Sequence, residues 1–124
     1  MSNQKTIVII EDEPHLQEEL TAAFVEAGFE VKNAYDGETG LALVRSCDPA
    51  MVLLDLILPK KDGFEVLKEL KAGAQTHAIP VVVLSNLEMA KDVERAIGLG
   101  AASYLVKPNY DVSHIVEKVL GLAD

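Results

Sequence analysis

Acidic side chains follow or interrupt two apolar runs, where they would be costly without a bound cation. Glu11 and Asp12 follow the run Thr6–Ile10, and Asp55 is the only charged residue in the run 51–59. Carboxylates packed close together raise one another's pKa, and a divalent cation offsets their repulsion. Magnesium takes hard oxygen ligands, commonly one or two carboxylates with waters and phosphate oxygens. We therefore predict Asp12 and Asp55 as direct ligands of magnesium and Glu11 as a ligand through water.

Asp55, Ser85 and Lys107 are the residue types that phosphoryl chemistry uses. A carboxylate can act as a nucleophile and form an aspartyl phosphate, while a lysine ammonium and a serine hydroxyl can hold phosphoryl oxygens. Each residue also has an ordinary alternative: Asp55 as a cap or turn residue, Ser85 as a strand-end serine, and Lys107 as a loop lysine. The acids at 11–13 could likewise only begin a helix, whose N-terminus favours negative charge.

The elements that must position these residues are predicted from the spacing of apolar side chains. Short β-branched runs alternate with longer helical periods, which is typical of βα units stacked on a parallel sheet. The predicted strands are 6–10, 29–33, 51–54, 80–84 and 103–106, and the predicted helices are 14–27, 37–46, 63–72, 88–99 and 112–122. Ligands of such sheets bind outside the carboxyl ends of the strands. Glu11, Asp55 and Lys107 all lie at predicted strand ends, so we expect them to meet at one edge.

Composition predicts a single globular domain over residues 1–124. Hydrophobic residues make up 49% of the chain and charged residues 25%, close to the averages for soluble domains. The formal charge of −9 would repel the phosphate backbone of nucleic acids, so we expect no direct nucleic-acid binding. Cys47 is the single cysteine, and no apolar run reaches the length of a membrane span. These features favour the cytoplasm and no membrane contact.

Four separated motifs resemble those of the receiver domain of bacterial two-component response regulators, and the resemblance covers the whole chain. They are IIEDEP at 9–14, LLDLILPKKDG at 53–63, VVLS at 82–85 and GAASYLVKP at 100–108. The likeness to single-domain chemotaxis receivers implies a flavodoxin-like, doubly wound α/β fold with five helices and five parallel strands in the order 2-1-3-4-5. The periodicity of the apolar residues does not by itself determine that order.

This resemblance implies a phosphorelay site. Asp55 would accept a phosphoryl group from the phosphohistidine of a sensor histidine kinase or a phosphotransfer protein. Mg²⁺ would be the only cofactor, bound by Glu11 and Asp12 together with Asp55. The backbone carbonyl of Ile57 would be a further ligand. The only chemistry implied is the domain's own phosphorylation and dephosphorylation, so no other enzyme activity is expected.

The resemblance also implies a switch between two states that phosphate contacts bias. Lys107 would contact the phosphoryl group, and Ser85 would report its arrival. Tyr104 matches the position of a switch aromatic, although it could instead only cover the edge of the sheet. The last two helices and the fifth strand would form the surface for an unknown output partner. A dimer that forms on phosphorylation is also within the family's range.

Asn86 departs from the family pattern, which usually has a very small residue after the switch hydroxyl. A larger amide over the site would hinder small phosphodonors and the attacking water. Ile57 and Leu87 would flank the same entrance with apolar groups. We therefore expect slow self-dephosphorylation.

Three other classes of protein compete with a phosphorylated receiver. A magnesium phosphohydrolase with an aspartyl phosphate would be expected to carry its nucleophile after the first strand and a cap or longer body for its substrate. A flavodoxin-like cofactor carrier would need a phosphate-cradling loop after that strand, where this chain has Glu11–Glu13. A constitutive interaction module would not need the complete set of acids, serine and lysine. The sequence favours the phosphorylated receiver.

Overall fold

The computed structural model describes residues 4–123, which form a five-stranded parallel sheet with helices on both faces. The strands are β1 (Thr6–Ile10), β2 (Glu30–Ala34), β3 (Met51–Leu54), β4 (Val81–Ser85) and β5 (Ser103–Val106). The helices are α1 (Pro14–Glu26), α2 (Gly37–Cys47), α3 (Gly63–Ala72), α4 (Ala90–Gly98) and α5 (Val112–Ala123), with one 3-10 turn at Lys107–Asn109. The strand order is β2-β1-β3-β4-β5. The predicted fold class and strand order are confirmed.

The sheet has a buried centre and two half-exposed edges. Every residue of β3 and β4 is buried, and β1 is buried from its second residue onward. Strands that are covered on both faces are expected to be apolar throughout. The edge strands β2 and β5 each have a single buried residue, Ala34 and Leu105, and their other residues are partly or fully exposed. The apolar runs of the sequence therefore correspond to the three central strands.

Two hydrophobic cores lie on opposite faces of the sheet, because successive residues of a strand point to opposite sides. In β1, Val8 and Ile10 belong to one core, and Ile7 and Ile9 belong to the other. Helices α2, α3 and α4 cover the first core with Leu41, Val44, Leu67, Leu70 and Ala96. Helices α1 and α5 cover the second core with Leu20, Phe24, Ile115 and Val119. Within residues 4–123, no helix is both long and apolar enough to cross a membrane.

The predicted strand 29–33 is out of place by one residue. Strand β2 begins at Glu30, which pairs with Thr6 of β1. Phe29 is nevertheless buried, because its ring packs edge-on against Phe24 with the ring centroids 5.6 Å apart. Phe29 was predicted as a strand residue because it is apolar, but it is buried against helix α1. The ends of a strand depend on its pairing partner.

Strand β4 and helix α4 also differ from the prediction at their ends. Strand β4 begins at Val81 instead of 80, and it extends to Ser85 because Ser85 pairs with Val106 of β5. Helix α4 begins at Ala90 instead of 88, because Met89 has an extended backbone with ψ of 136°, and it ends at Gly98 instead of 99. Ser85 therefore lies within the sheet, and the loop between the two elements is longer than predicted.

A close approach at Gly63 fixes the backbone around the end of β3. A Cβ atom at this position would lie 2.3 Å from the carbonyl oxygen of Asp55 and 2.4 Å from the Cα of Leu56. The amide of Gly63 also donates to the carbonyl of Leu56 at 2.8 Å. Only glycine leaves room for this contact, since real Cβ atoms do not approach so closely. The start of α3 is thereby held directly against Asp55.

Candidate functional site

Glu11 is the first residue after β1, and its position is set by both its backbone and its side chain. Its amide donates to the carbonyl of Ala34 at 3.0 Å, which continues the pairing of β1 with β2. Its Oε2 accepts a hydrogen bond from the amide of Glu13 at 2.9 Å. Glu11 is buried, whereas the neighbouring Asp12 is exposed. The loop therefore points one carboxylate inward and leaves the other open to solvent.

Asp55 follows β3 and is buried, with 5% of its surface exposed. Its amide donates to the carbonyl of Ile10 at 2.9 Å, which extends the β1–β3 pairing by one residue. Its Oδ1 accepts a hydrogen bond from the amide of Ile57 at 3.3 Å. A buried carboxylate requires such partners, because burying it alone would be costly.

Lys107 is the basic residue that contacts Glu11 and Asp55 at this edge of the sheet. It begins the 3-10 turn after β5, and its Nζ lies 3.1 Å from Oδ2 of Asp55 and 2.6 Å from Oε1 of Glu11. The contact with Glu11 is a short ion pair, and the contact with Asp55 is also a hydrogen bond that Lys107 donates. One ammonium group thus serves two buried carboxylates.

Burial and charge act in opposite directions on the pKa values of this cluster. Burial is the main cause that raises the pKa of Glu11, and the negative charge of Asp55 adds to it; the Lys107 contact and the Glu13 amide offset part of the increase. Burial disfavours the charged form of Lys107, but its contacts with Glu11 and Asp55 outweigh that effect and raise its pKa. The cluster therefore holds more negative charge than its lysine neutralises.

The acidic residues of this edge fit a hard divalent cation. Glu11, Asp12 and Asp55 each offer a carboxylate oxygen, and these oxygens lie within 4.8 Å of one another. Carboxylate oxygens are suitable ligands for Mg²⁺ or Mn²⁺. The sheet thus brings together the predicted acidic residues and Lys107.

Ser85 and Tyr104 meet at the loop that follows β4. The Ser85 hydroxyl accepts a hydrogen bond from the amide of Leu87 at 3.2 Å. The Tyr104 hydroxyl donates to the carbonyl of the same residue at 2.8 Å. Burial raises the pKa of Tyr104, and a hydrogen bond with Ser85 partly offsets it. Tyr104 therefore contacts the loop beside Ser85 as well as covering the edge of the sheet.

The side chains near the predicted entrance are unequally exposed. Ile57 is 58% exposed, Asn86 is exposed, and Leu87 is partly buried against the first core. Ile57 follows Asp55 by two residues, and Asn86 follows Ser85 directly. The two loops at this edge therefore carry both an apolar group and an amide.

Gln17 is a residue of this edge that the sequence analysis did not identify. It lies on α1 and is buried, and its Nε2 is 3.1 Å from the carbonyl oxygen of Glu11. Its place among the apolar positions of α1, three residues before Leu20 and seven before Phe24, was the available signal. A glutamine on the buried face of an amphipathic helix needs hydrogen-bond partners in the protein.

The fold and the edge cluster define the class of this protein. A doubly wound parallel sheet with acidic residues and a lysine at the carboxyl ends of its strands is an α/β domain of the kind that binds ligands at that edge. The family model described as "Response regulator receiver domain" matches residues 7–120. The chain belongs to this family, whose members accept a phosphoryl group on an aspartate with Mg²⁺ in two-component signalling.

Individual relatives agree with this membership. The DNA-binding dual master transcriptional regulator RpaA of Synechocystis is 37% identical over 116 residues, which are 94% of this chain and 48% of RpaA. Protein PilH of Pseudomonas aeruginosa is 35% identical over 82% of this chain and 84% of its own length. The Mn²⁺-bound form of response regulator Rcp1 is 31% identical with a TM-score of 0.82, covering 95% of this chain and 91% of Rcp1. The chain spans about half the length of the first curated relatives that it matches.

Proposed function

We propose that Asp55 is the phosphoacceptor of this receiver domain and that Mg²⁺ is its cofactor. The observation that carries the proposal is the convergence of Glu11, Asp12 and Asp55, whose carboxylate oxygens lie within 4.8 Å of one another. Lys107 stands beside them, with its Nζ 3.1 Å from Asp55. A cap or turn residue would need neither the neighbouring acids nor the lysine, so the grouping supports a chemical role for Asp55.

The residues that would hold Mg²⁺ are Asp12 and Asp55 as direct ligands, the backbone carbonyl of Ile57, and Glu11 through water. This oxygen donor set suits a hard cation, and Rcp1 is a relative of known structure with Mn²⁺ bound. When bound, Mg²⁺ supplies positive charge to phosphoryl oxygens that would otherwise face several carboxylates. Asp12 is exposed and therefore accessible to a cation from solvent.

In the proposed reaction, a carboxylate oxygen of Asp55 attacks the phosphorus of a phosphohistidine on the donor protein. An O–P bond forms while the N–P bond breaks, and the imidazole nitrogen leaves with the electron pair of that bond. Lys107 then turns its ammonium from the carboxylates to a phosphoryl oxygen, where a charge-assisted hydrogen bond is strong. In the second half of the cycle, water attacks the phosphorus, the bond from phosphorus to the Asp55 oxygen breaks, and inorganic phosphate is released. This step regenerates the Asp55 carboxylate. We propose no other substrate.

Ser85 and Tyr104 are the proposed switch residues. In the unphosphorylated chain the Ser85 hydroxyl accepts from the Leu87 amide, and it would instead donate to a phosphoryl oxygen after transfer. Tyr104 contacts the same loop through the Leu87 carbonyl, so a movement of this loop would be passed to β5. Reversing a switch from mostly off to mostly on needs roughly 5 kcal/mol. Two or three charge-assisted hydrogen bonds of about 1.5 to 3 kcal/mol each could supply most of it.

We propose that the phosphoryl donor is a sensor histidine kinase or a phosphotransfer protein, and that residues 1–124 act as one receiver domain in the cytoplasm. The output partner would bind α4, β5 and α5, and a dimer that forms on phosphorylation would use the same surface. RpaA is a DNA-binding regulator, but this chain spans only 48% of its length. With a formal charge of −9, we propose no direct contact with nucleic acid for this domain.

Asn86 is proposed to slow the loss of the phosphoryl group. Its amide is exposed beside Ser85, and the apolar Ile57 extends from the neighbouring loop. Both groups would obstruct the line along which water must approach the phosphorus. We expect phosphoryl decay in the purified protein to be slow and to accelerate in Asn86→Ala. A fast decay that the substitution leaves unchanged would contradict this part of the proposal.

Beryllofluoride binding tests the proposed function directly, because this complex mimics an aspartyl phosphate. We expect fluorine NMR to detect beryllofluoride bound to the wild type in the presence of Mg²⁺ and to detect none bound to Asp55→Asn. Asp48→Asn is the matched control, because Asp48 is an exposed aspartate outside the cluster, and its left-handed backbone conformation (φ 49°) is one that asparagine tolerates. Equal binding by all three proteins would refute the assignment.

A further inference from the structure

Gln17 forms a buried hydrogen-bond network at the point where β1 ends and the acidic loop begins. Its Nε2 lies 3.0 Å from the carbonyl oxygen of Ile9, 3.1 Å from that of Glu11 and 2.8 Å from that of Ala34. Its Oε1 accepts a hydrogen bond from Nδ2 of Asn33 at 2.6 Å. Gln17 itself is only 1% exposed. One side chain of α1 thus joins the ends of β1 and β2.

The chemistry of the amide group determines its orientation. Carbonyl oxygens only accept hydrogen bonds, so the group facing the three carbonyls must be the NH₂, which has two hydrogens to share among them. Because Oε1 of Gln17 can only accept, the Asn33 atom that faces it must likewise be the donor Nδ2, which also donates to Oγ1 of Thr21 at 2.8 Å. A buried network in which the amide has partners on both sides is rigid and specifies one arrangement.

The carbonyl of Glu11 is the member of this network that matters for the site. It belongs to the peptide group that joins Glu11 to Asp12, so a hydrogen bond to it fixes the orientation of that peptide plane. The amide of Glu11 is held on its other side by the carbonyl of Ala34 at 3.0 Å, and Ala34 accepts from Gln17 as well. Gln17 therefore holds the backbone that determines the orientation of both the Glu11 and the Asp12 side chain.

We propose that Gln17 is a positioning residue for the cation site, which aims the carboxylates of Glu11 and Asp12 through their shared peptide group. This inference rests on the proposed function, because it assigns those carboxylates to Mg²⁺. Gln17 touches neither the cation nor the phosphoryl group in this account. Its removal would free the Glu11 carbonyl and allow the two carboxylates to point in directions that no longer converge on one cation.

The variant Gln17→Met tests the inference, because methionine has a similar length and no donor. We expect its Mg²⁺ dissociation constant, measured by NMR titration of the Glu11 and Asp12 amides, to rise about tenfold. In the metal-free protein, we expect the Glu11 amide to exchange its hydrogen faster while amides of β4 remain protected. Val119→Ala is the control, because Val119 is buried in the second core and its side chain has no polar atom that could join the hydrogen-bond network.

The control separates positioning from a general loss of stability. If Val119→Ala lowers the midpoint of urea unfolding as much as Gln17→Met but keeps the wild-type dissociation constant, positioning is supported. If both variants lose Mg²⁺ affinity equally, or if Gln17→Met binds like the wild type, the inference is refuted while the proposed function stands. A wild type that binds no Mg²⁺ refutes the proposed function and this inference together.

A second variant covers the case in which Gln17→Met does not fold. Asn33→Ala leaves Gln17 in place and removes the hydrogen bond that its Oε1 accepts, so the Gln17 side chain is held from one side only. Because Asn33 is only partly buried, we expect this variant to fold and its Mg²⁺ dissociation constant to rise by less than in Gln17→Met, about threefold. An unchanged dissociation constant in a folded Asn33→Ala would overturn the inference.

Discussion

Two groups of charged residues in this domain differ in exposure and in charge balance. The edge cluster contains Glu11, Asp55 and Lys107, whose side chains are 3%, 5% and 15% exposed. The surface cluster joins α2 to α3 and its preceding loop, where Glu69 forms ion pairs with Arg45 and Lys61. Its side chains are 29%, 56% and 28% exposed in that order. In the edge cluster one lysine faces two carboxylates, whereas in the surface cluster two basic side chains face one carboxylate.

The comparison separates charges that serve the fold from charges that serve a ligand. In the surface cluster, the hydrogen bond from Lys61 is the main cause that lowers the pKa of Glu69, and it outweighs the opposing effect of burial. In the edge cluster, burial raises the pKa of Glu11 even though Lys107 is adjacent. Buried charges that are incompletely paired reduce stability. A bound cation would therefore stabilise the edge cluster, which agrees with the proposed Mg²⁺ site.

The largest expected effect is that of Lys107→Ala, which removes the only cation from the edge cluster. Two buried carboxylates would then face each other, and removing one partner of a buried ion pair typically costs about 3 kcal/mol or more. We expect urea unfolding to detect this loss without Mg²⁺ and to detect a partial recovery at saturating Mg²⁺. Lys61→Ala is the control from the surface cluster. Equal losses for the two variants would contradict the distinction between the clusters.

The next effect is a gain of stability in Asp55→Asn. The substitution removes one negative charge and leaves Lys107 to pair with Glu11 alone. We expect the free energy of unfolding of the metal-free protein to rise by about 1 kcal/mol, as is common when a functional residue is replaced. The stabilisation by Mg²⁺, which depends on binding to the folded state, should decrease at the same time. A less stable Asp55→Asn would contradict the view that this cluster lacks positive charge.

Asp36 offers a third case for the comparison, because a backbone amide, and not a basic side chain, is the main group that stabilises its charged carboxylate. Its Oδ1 accepts from the amide of Thr39 at 2.7 Å, and this bond is the first cause of its lowered pKa. The resulting stability is present above the ordinary aspartate pKa of about 3.9 and is lost as the pH falls through the lowered value. We expect Asp36→Ala to lower the thermal midpoint at neutral pH and to have little effect in strong acid. Lys60→Ala, which removes only a distant ion pair of 3.9 Å, should have little effect at either pH.

The smallest effect is expected for Glu69→Gln in the surface cluster. Exposed ion pairs contribute little, because water and salt screen them. We expect an unfolding midpoint close to that of the wild type, with the remaining difference lost in about 1 M salt, where the screening length is about 3 Å. A large, salt-resistant loss of stability would place Glu69 in the same class as Glu11 and contradict the comparison.

The fold was largely predictable because its central strands are continuous apolar runs. β1, β3 and β5 match their predicted bounds, while β2 and β4 are each displaced by one residue. Those ends depend on pairing with another strand, as Ser85 does with Val106, and one segment alone carries no information about its partner. The strand order came from the resemblance to a family and not from the periodicity.

The acidic part of the site was predictable because parallel strands bring their carboxyl ends to one edge. Glu11, Asp55 and Lys107 are 44 and 52 residues apart along the chain, yet they meet within hydrogen-bonding distance. The contact of Gln17 with three carbonyls was not predicted, because its partners lie on the backbones of two strands. A pattern of residue types shows that a buried glutamine needs partners but does not say which ones.

The central claim is that Asp55 accepts the phosphoryl group, and locating the modified residue tests it most directly. The protein would be incubated with Mg²⁺ and phosphoramidate, which has the same N–P bond as phosphohistidine, and then reduced with borohydride, which converts an aspartyl phosphate to homoserine. Peptide mass spectrometry should find homoserine at position 55 in the wild type and in Asn86→Ala, whose site a small phosphodonor would enter more readily. Without Mg²⁺, neither protein should contain homoserine. Homoserine at another aspartate, or none at position 55 in both proteins, would contradict the account.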